Sequence, residues 1–147
     1  MLLRNRHELK LSVALAYNLF PRNSRHKKMN EPLSVERSNH FPLQEVLELS
    51  GPLTAGNAAA FQNALRREDH AETLILDLSD VPYIDSAGLG VLVTAYVTRQ
   101  KSGRKMVLSG INSRVQRLFE VTRLGSLFLV FDSPEEAVAA LSAAGHA

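Results

Sequence analysis

Cysteine is absent from all 147 residues. That excludes disulfides, thiolate metal sites, cysteine nucleophiles and redox chemistry of the chain's own, and it is compatible with a reducing cytosol. No apolar run approaches the ~20 residues needed to cross a bilayer, so no stable membrane association is expected. The five histidines show no ligand spacing, which leaves no metal site to propose from sequence. No internal repeat is visible.

What is present suffices for one core: 45% of residues are apolar, enough for a single α/β or α+β domain. The formal charge of +2 averages two unlike regions. Residues 1–30 carry Arg4, Arg6, Lys10, Arg22, Arg25, Lys27 and Lys28 against Glu8, a net +6, which leaves ten basic and fourteen acidic side chains, a net −4, for the rest. A folded part of that sign argues against a nucleic-acid-binding surface. Within the basic region Leu11-Ser12-Val13-Ala14-Leu15-Ala16 ends in Ala-x-Ala, but the stretch is short and broken by Lys10, which disfavours a secretion signal. An amphipathic membrane-surface segment is a second option. The preferred expectation is a native start at Met29, with residues 1–30 a flexible basic extension and residues 31–147 a cytoplasmic domain.

Changes of hydrophobic period predict the elements. Leu33–Glu36 and Glu45–Leu49 alternate with a period of two and read as half-exposed strands, with a turn at Ser38-Asn39-His40 and Pro42 following. Ala58, Phe61 and Leu65 share one face of a helix from about Ala55 to Glu68, for which Thr54 is the expected N-cap. Thr73–Leu78 is an almost unbroken apolar run, the mark of a central strand covered on both faces. Asp85-Ser86 opens a helix with Leu89, Leu92, Val93, Tyr96 and Val97 at spacings of three and four, ending at Ser102-Gly103. A short strand at Met106–Leu108 precedes a helix capped by Asn112-Ser113 with Val115, Leu118 and Phe119 inward. Leu127–Phe131 reads as the last strand, and Asp132-Ser133-Pro134-Glu135-Glu136 starts a helix running to about Ala143. The order β-β-α-β-α-β-α-β-α implies an α/β fold: a largely parallel sheet of about five strands with four helices, bounded by one antiparallel edge.

One segment stands out chemically. Asp85-Ser86-Ala87-Gly88-Leu89-Gly90 places a hydroxyl at a helix N-terminus just beyond the central strand, where free N–H groups and the helix dipole tolerate a dianion. Gly88 and Gly90 let another backbone approach the first turns, at an intrinsic cost to the helix. On residue chemistry alone, an ordinary cap at Asp85 or Ser86, with glycines serving helix-to-sheet packing, accounts for the same pattern.

The run Leu76-Asp77-Leu78-Ser79-Asp80-Val81-Pro82-Tyr83-Ile84-Asp85-Ser86-Ala87-Gly88-Leu89-Gly90-Val91-Leu92 closely resembles the signature of STAS domains, specifically the anti-sigma factor antagonists. Gly51-Pro52-Leu53, Gly103–Leu108, Val115–Phe119, Thr122-Arg123-Leu124 and Phe131–Ala137 follow in that family's order. The resemblance implies a STAS-type fold without catalytic residues, metal or cofactor, acting in signal transduction and transcription regulation. It implies that Ser86 is phosphorylated by a serine kinase that is itself an anti-sigma factor, and restored by a PP2C-type phosphatase. Unphosphorylated, the domain binds the kinase and frees the sigma factor; the partner surface falls on Thr54, Asp85, Ser86, Ala87, Gly88, Leu89 and Gly90. One position departs from the pattern: family members commonly carry Asp after the Gly-x-Leu before the first helix, and Thr54 stands there instead.

Other chemistries fit less well. A Ser-His hydrolase lacks both a Gly-x-Ser-x-Gly elbow at Ser86 and a nearby base, given where His40, His70 and His146 fall in the chain. A dinucleotide loop lacks its third glycine, replaced by Val93, and a ribose-binding acid after the next strand, where Ser109-Gly110 stands. Asp77, Asp80 and Asp85 as a cation cluster compete with the simpler account that Asp77 and Asp80 bond their own turn. The alternative within the same resemblance is a STAS scaffold or transporter-associated subunit not regulated through a sigma factor.

Overall fold

The apolar run beginning at Thr73 becomes the middle strand of a five-stranded sheet in the computed structural model, which describes residues 33–41, 44–66 and 71–144. The elements are β1 (Ser34–Phe41), β2 (Gln44–Ser50), α1 (Ala58–Arg66), β3 (Thr73–Asp80), α2 (Ser86–Lys101), β4 (Lys105–Ser109), α3 (Ser113–Val121), β5 (Val130–Phe131) and α4 (Pro134–Ala144). Strands lie in the spatial order β1-β2-β3-β4-β5; β1 runs antiparallel to β2, and all other neighbours are parallel. This is the expected α/β class and element order. The basic extension, residues 1–30, lies outside the described residues, as do His70 and His146.

Period-two alternation divides the core. Leu47, Leu49, Leu74, Leu76, Leu78, Met106 and Leu108 face one side, where Phe61 of α1, Leu89 and Leu92 of α2, and Val115 and Phe119 of α3 cover them. Val46, Ile75 and Val107 face the other side and pack under Ala137 and Val138 of α4. With both faces covered, the inner strands lose their polar alternation, which is why β3 read as a continuous apolar run.

Several local expectations are corrected. β1 continues through Ser38-Asn39-His40, so the chain reverses between Phe41 and Gln44. Polar residues on an edge strand cost little, and they read as turn formers for that reason. Thr54 is not a helix cap. It precedes α1 by a turn, and Asn57 holds the helix start: its backbone carbonyl accepts from the Phe61 N–H at 3.2 Å, while its side-chain oxygen accepts from the Thr54 N–H at 2.8 Å. Glu68, the expected helix end, lies outside the described residues. Val97 is exposed, and the inward place near the end of α2 goes to Arg99. Its Nε donates to the Lys105 carbonyl at 3.0 Å and its Nη2 to the Ala71 carbonyl at 2.8 Å, so a buried cation ties α2 to the chain entering β3 and β4. Finally, β5 has two residues instead of five. Arg123 adopts φ 60° after α3, and the chain turns through residues 125–127 before pairing begins at Val130.

The candidate switch site

Four connections leave the sheet at the C-terminal ends of the parallel strands, and those after β2 and β3 are fastened together there. The segment after β2 and the segment after β3 meet at Leu53, whose N–H donates to the Tyr83 carbonyl and whose carbonyl accepts from the Asp85 N–H, both at 3.1 Å. The chain thus gains a parallel bridge, Leu53 with Ile84, just beyond the sheet. Asn112, the cap of α3, secures the same loop from the other side: its Nδ2 donates to the Val81 and Pro82 carbonyls at 3.2 Å. The Arg114 guanidinium sits over the Tyr83 ring, 4.9 Å from its centre.

Asp85 is the N-cap of α2. One carboxylate oxygen accepts from the Gly88 N–H at 2.9 Å and the other from the Ala55 N–H at 3.1 Å, so a single side chain caps one helix and pins the loop before another. These donors, Gly88 first and Ala55 next, hold the Asp85 carboxyl below its ordinary value; limited burial pushes weakly upward, and the Ala87 N–H adds to the lowering. Because the folded value is depressed, the stabilisation is complete above the unfolded aspartate range, near pH 4, and is lost as pH falls through the folded value. Asp85→Asn is therefore expected to lower the melting temperature at pH 7, with the gap to the parent narrowing as pH falls below about 4. Thermal denaturation followed by circular dichroism between pH 2.5 and 7 measures it, and a gap independent of pH would exclude a charge-dependent cap.

With Asp85 as the cap, Ser86 is freed from that duty. It occupies the first helical position, it is exposed, and its hydroxyl has no hydrogen bond among the described residues. Of the other residues expected in the partner surface, Ala87 and Gly90 are exposed, and Thr54 and Asp85 half-buried. Gly88 and Leu89 face inward, Leu89 into the core. The two glycines therefore differ in kind. A Cβ on Gly88 would lie 2.2 Å from the Leu53 carbonyl oxygen, whereas a Cβ on Gly90 would meet nothing within 4 Å. Close backbone approach at Gly88 is already used by the chain itself, and only Gly90 leaves the helix surface open.

The acidic trio is not assembled into a cluster among the described residues. Asp77 is buried and accepts from the Ser79 hydroxyl at 2.5 Å and the Ser109 hydroxyl at 3.3 Å, apart from the Asp85 network. Tyr83 and Arg114 were not foreseen as members of this surface. Arg114 lies about thirty positions from Ser86, and only the Asn112 clamp brings its helix to the loop; Arg after a capping Asn-Ser was the sole signal.

Comparisons with known proteins agree with this geometry. An anti-sigma-B factor antagonist of Listeria monocytogenes is 36% identical over 81 residues, 54% of this chain and 71% of that protein. The structure of an anti-sigma factor antagonist from Mycobacterium paratuberculosis superposes with a TM-score of 0.69 at 22% identity, covering 78% of this chain and 97% of that one, a likeness of fold. The STAS domain of a SulP transporter from Vibrio cholerae superposes with a TM-score of 0.62 at 26% identity, over 74% of this chain and 88% of that domain. No described helix is long and apolar enough to cross a membrane. A family profile described as STAS domain matches residues 33–137, from the first strand into the last helix and across the whole Asp85-Ser86 platform, and the chain belongs to that family.

Proposed function

We propose that this chain is an anti-sigma factor antagonist that acts as a phosphorylation-controlled partner switch. With Ser86 unmodified, it binds an anti-sigma factor that is also a serine kinase, and the sigma factor is released. The observation that carries this proposal is the division of labour at the start of α2. Asp85 takes the capping bonds, and Ser86 presents an unengaged hydroxyl beside an open glycine.

The chemistry of the switch is phosphoryl transfer. The Ser86 oxygen forms a bond to the γ-phosphorus of ATP, the bond from that phosphorus to the β–γ bridging oxygen breaks, and ADP leaves. The base that accepts the serine proton comes from the kinase, because the adjacent carboxylate of Asp85 is committed to backbone donors. A PP2C-type phosphatase hydrolyses the ester and resets the site. The phosphate adds about −1.5 to −2 charges next to an ionised Asp85 that already holds the Gly88 N–H. It therefore projects toward the partner instead of settling onto the helix terminus, and the complex opens.

The test is to mix the full chain with candidate anti-sigma kinases and ATP and to locate phosphate by mass spectrometry. One phosphate on Ser86, absent from Ser86→Ala, is the expected result. Phosphate on another residue, or none with any kinase encoded beside the gene, would favour a STAS module working without phosphorylation, the reading supported by the likeness to the SulP transporter domain.

A further inference from the structure

We propose that Arg114, held over the Tyr83 ring, is a partner-selecting residue that receives a carboxylate from an acidic surface of the anti-sigma kinase. It rests on the partner switch at Ser86 and adds the charge that the partner must bring there. The first observation is which charges the surface has to offer. Asp85 commits both carboxylate oxygens to the Gly88 and Ala55 N–H groups, and Thr54 stands where the family commonly carries an acid. Arg114 and Arg117 are exposed on the first two turns of α3, and no acid precedes Glu120 on that helix. Among the described residues neither arginine forms an ion pair. From residue 31 onward the sequence is net negative, so a basic face here departs from the general sign of the domain.

The second observation is preorganisation. The Arg114 guanidinium carbon lies 4.9 Å from the centre of the half-buried Tyr83 ring. A guanidinium over a ring is attracted by the π face and keeps its outward N–H groups for a carboxylate, in a two-pronged geometry that a lysine cannot reproduce. Tyr83 is itself fixed: its carbonyl accepts from the Leu53 N–H, and Asn112 ties the carbonyls of Val81 and Pro82 just before it. A side chain already held in place loses less freedom on binding, so more of the contact energy appears as affinity.

The third is position. α2 and α3 cover the same face of the sheet, and both begin at the end where the parallel strands finish. Ser86 is the first residue of α2 and Arg114 the second of α3. Tyr83 precedes Ser86 by three residues, which limits their Cα separation to about 11 Å. A partner face of standard size, about 800 Å², reaches roughly 16 Å outward when centred on Ser86. It therefore takes in Tyr83, and the guanidinium over that ring falls toward its rim. A charge in that place steers the approach of the partner and discriminates among partners by the sign of their surface.

The test uses the full chain and the kinase that phosphorylates Ser86, in stopped-flow and equilibrium titrations at low and high salt. Arg114→Ala is expected to weaken binding roughly tenfold at about 0.05 M salt, mostly through slower association. The loss should shrink below about twofold at about 0.5 M, where screening shortens to a few ångströms. Arg114→Lys, which keeps the charge without the fork, should fall between parent and Arg114→Ala. Arg117→Ala makes the same change in net charge one turn further along and should weaken binding by at most about twofold, which separates a positioned arginine from bulk charge. All three variants should melt near the parent temperature, because both side chains are exposed. A kinase that binds parent and Arg114→Ala alike, or that loses as much with Arg117→Ala, overturns the proposal and leaves the switch standing. Tighter binding by Arg114→Ala overturns it too, since the facing surface would then be basic. If no kinase acts on the chain, the switch and this contact fall together.

Discussion

Gly88→Ala is expected to lower the melting temperature by roughly 10–20 °C, while Gly90→Ala, two residues along the same helix, leaves it unchanged or raises it by a few degrees. The added methyl at position 88 would sit 2.2 Å from the Leu53 oxygen and 2.7 Å from its carbonyl carbon. Both are backbone atoms, so no rotamer change relieves the clash; either α2 or the Leu53 bridge must shift. Overpacking of that kind costs about 3 kcal/mol or more, and each kcal/mol moves the midpoint of a domain this size by roughly 3–5 °C. At position 90 there is no clash, and alanine is the better helix former by about 1 kcal/mol. The same Gly90→Ala variant should nevertheless bind the proposed anti-sigma kinase more weakly, because its methyl occupies helix surface that Gly90 leaves open. Differential scanning calorimetry with binding titrations separates the effects. A Gly88→Ala protein as stable as its parent would show that the Leu53 contact is not a fixed part of the fold.

Ser86→Asp is expected to bind the anti-sigma kinase roughly 30- to 150-fold more weakly than Ser86→Ala, in isothermal titration with the same partner preparation. In the proposed interface, which would receive a neutral hydroxyl, a carboxylate at position 86 must be desolvated beside Asp85, whose own charge is held there by the Gly88 and Ala55 N–H groups. An uncompensated charge in such a place costs on the order of 2–3 kcal/mol, which sets the fold-change. Position 86 is exposed at the first turn of a helix, so both variants should melt near the parent temperature, and the loss then belongs to the interface. Equal affinities for the two would remove the switch while leaving the family assignment intact.

The fold was largely legible in the sequence because burial leaves a periodic trace. β3 and β4 are covered on both faces, and their apolar content announced them, whereas β2, read as half-exposed from its alternation, is buried along nearly its whole length. The start of α2 was legible for another reason: Asp followed by a hydroxyl and two glycines is readable as local chemistry, although sequence alone could not decide whether Asp85 or Ser86 caps. Where the trace failed, the stabilising contact was polar and distant. Arg99 is buried because backbone carbonyls 28 and six positions away receive its donors, and hydrophobic spacing put Val97 in that place. Asn57 was overlooked in favour of Thr54 because Gly51-Pro52 drew the expected helix start too early; its side chain turns back to the Thr54 N–H and the Pro52 carbonyl, a loop-closing role that a search for a side-chain cap does not find. The five apolar residues Leu127–Phe131 read as one strand, yet Phe128 is spent on the core against Tyr96 and Phe119, which leaves two residues to pair.

The backbone of Leu53 has a consequence for engineering. Since its N–H and carbonyl both serve the loop that ends at Asp85, and the Asp85 side chain returns to Ala55, neither loop can be altered as a separate part. Residues 53–57 and 83–88 are therefore held as one structural block, and a change on one side is expected to disturb the other. Thr54 is then best understood jointly with the residues around Ser86, and a chimaera that exchanges only one of the two loops with a relative is expected to lose the fit between them.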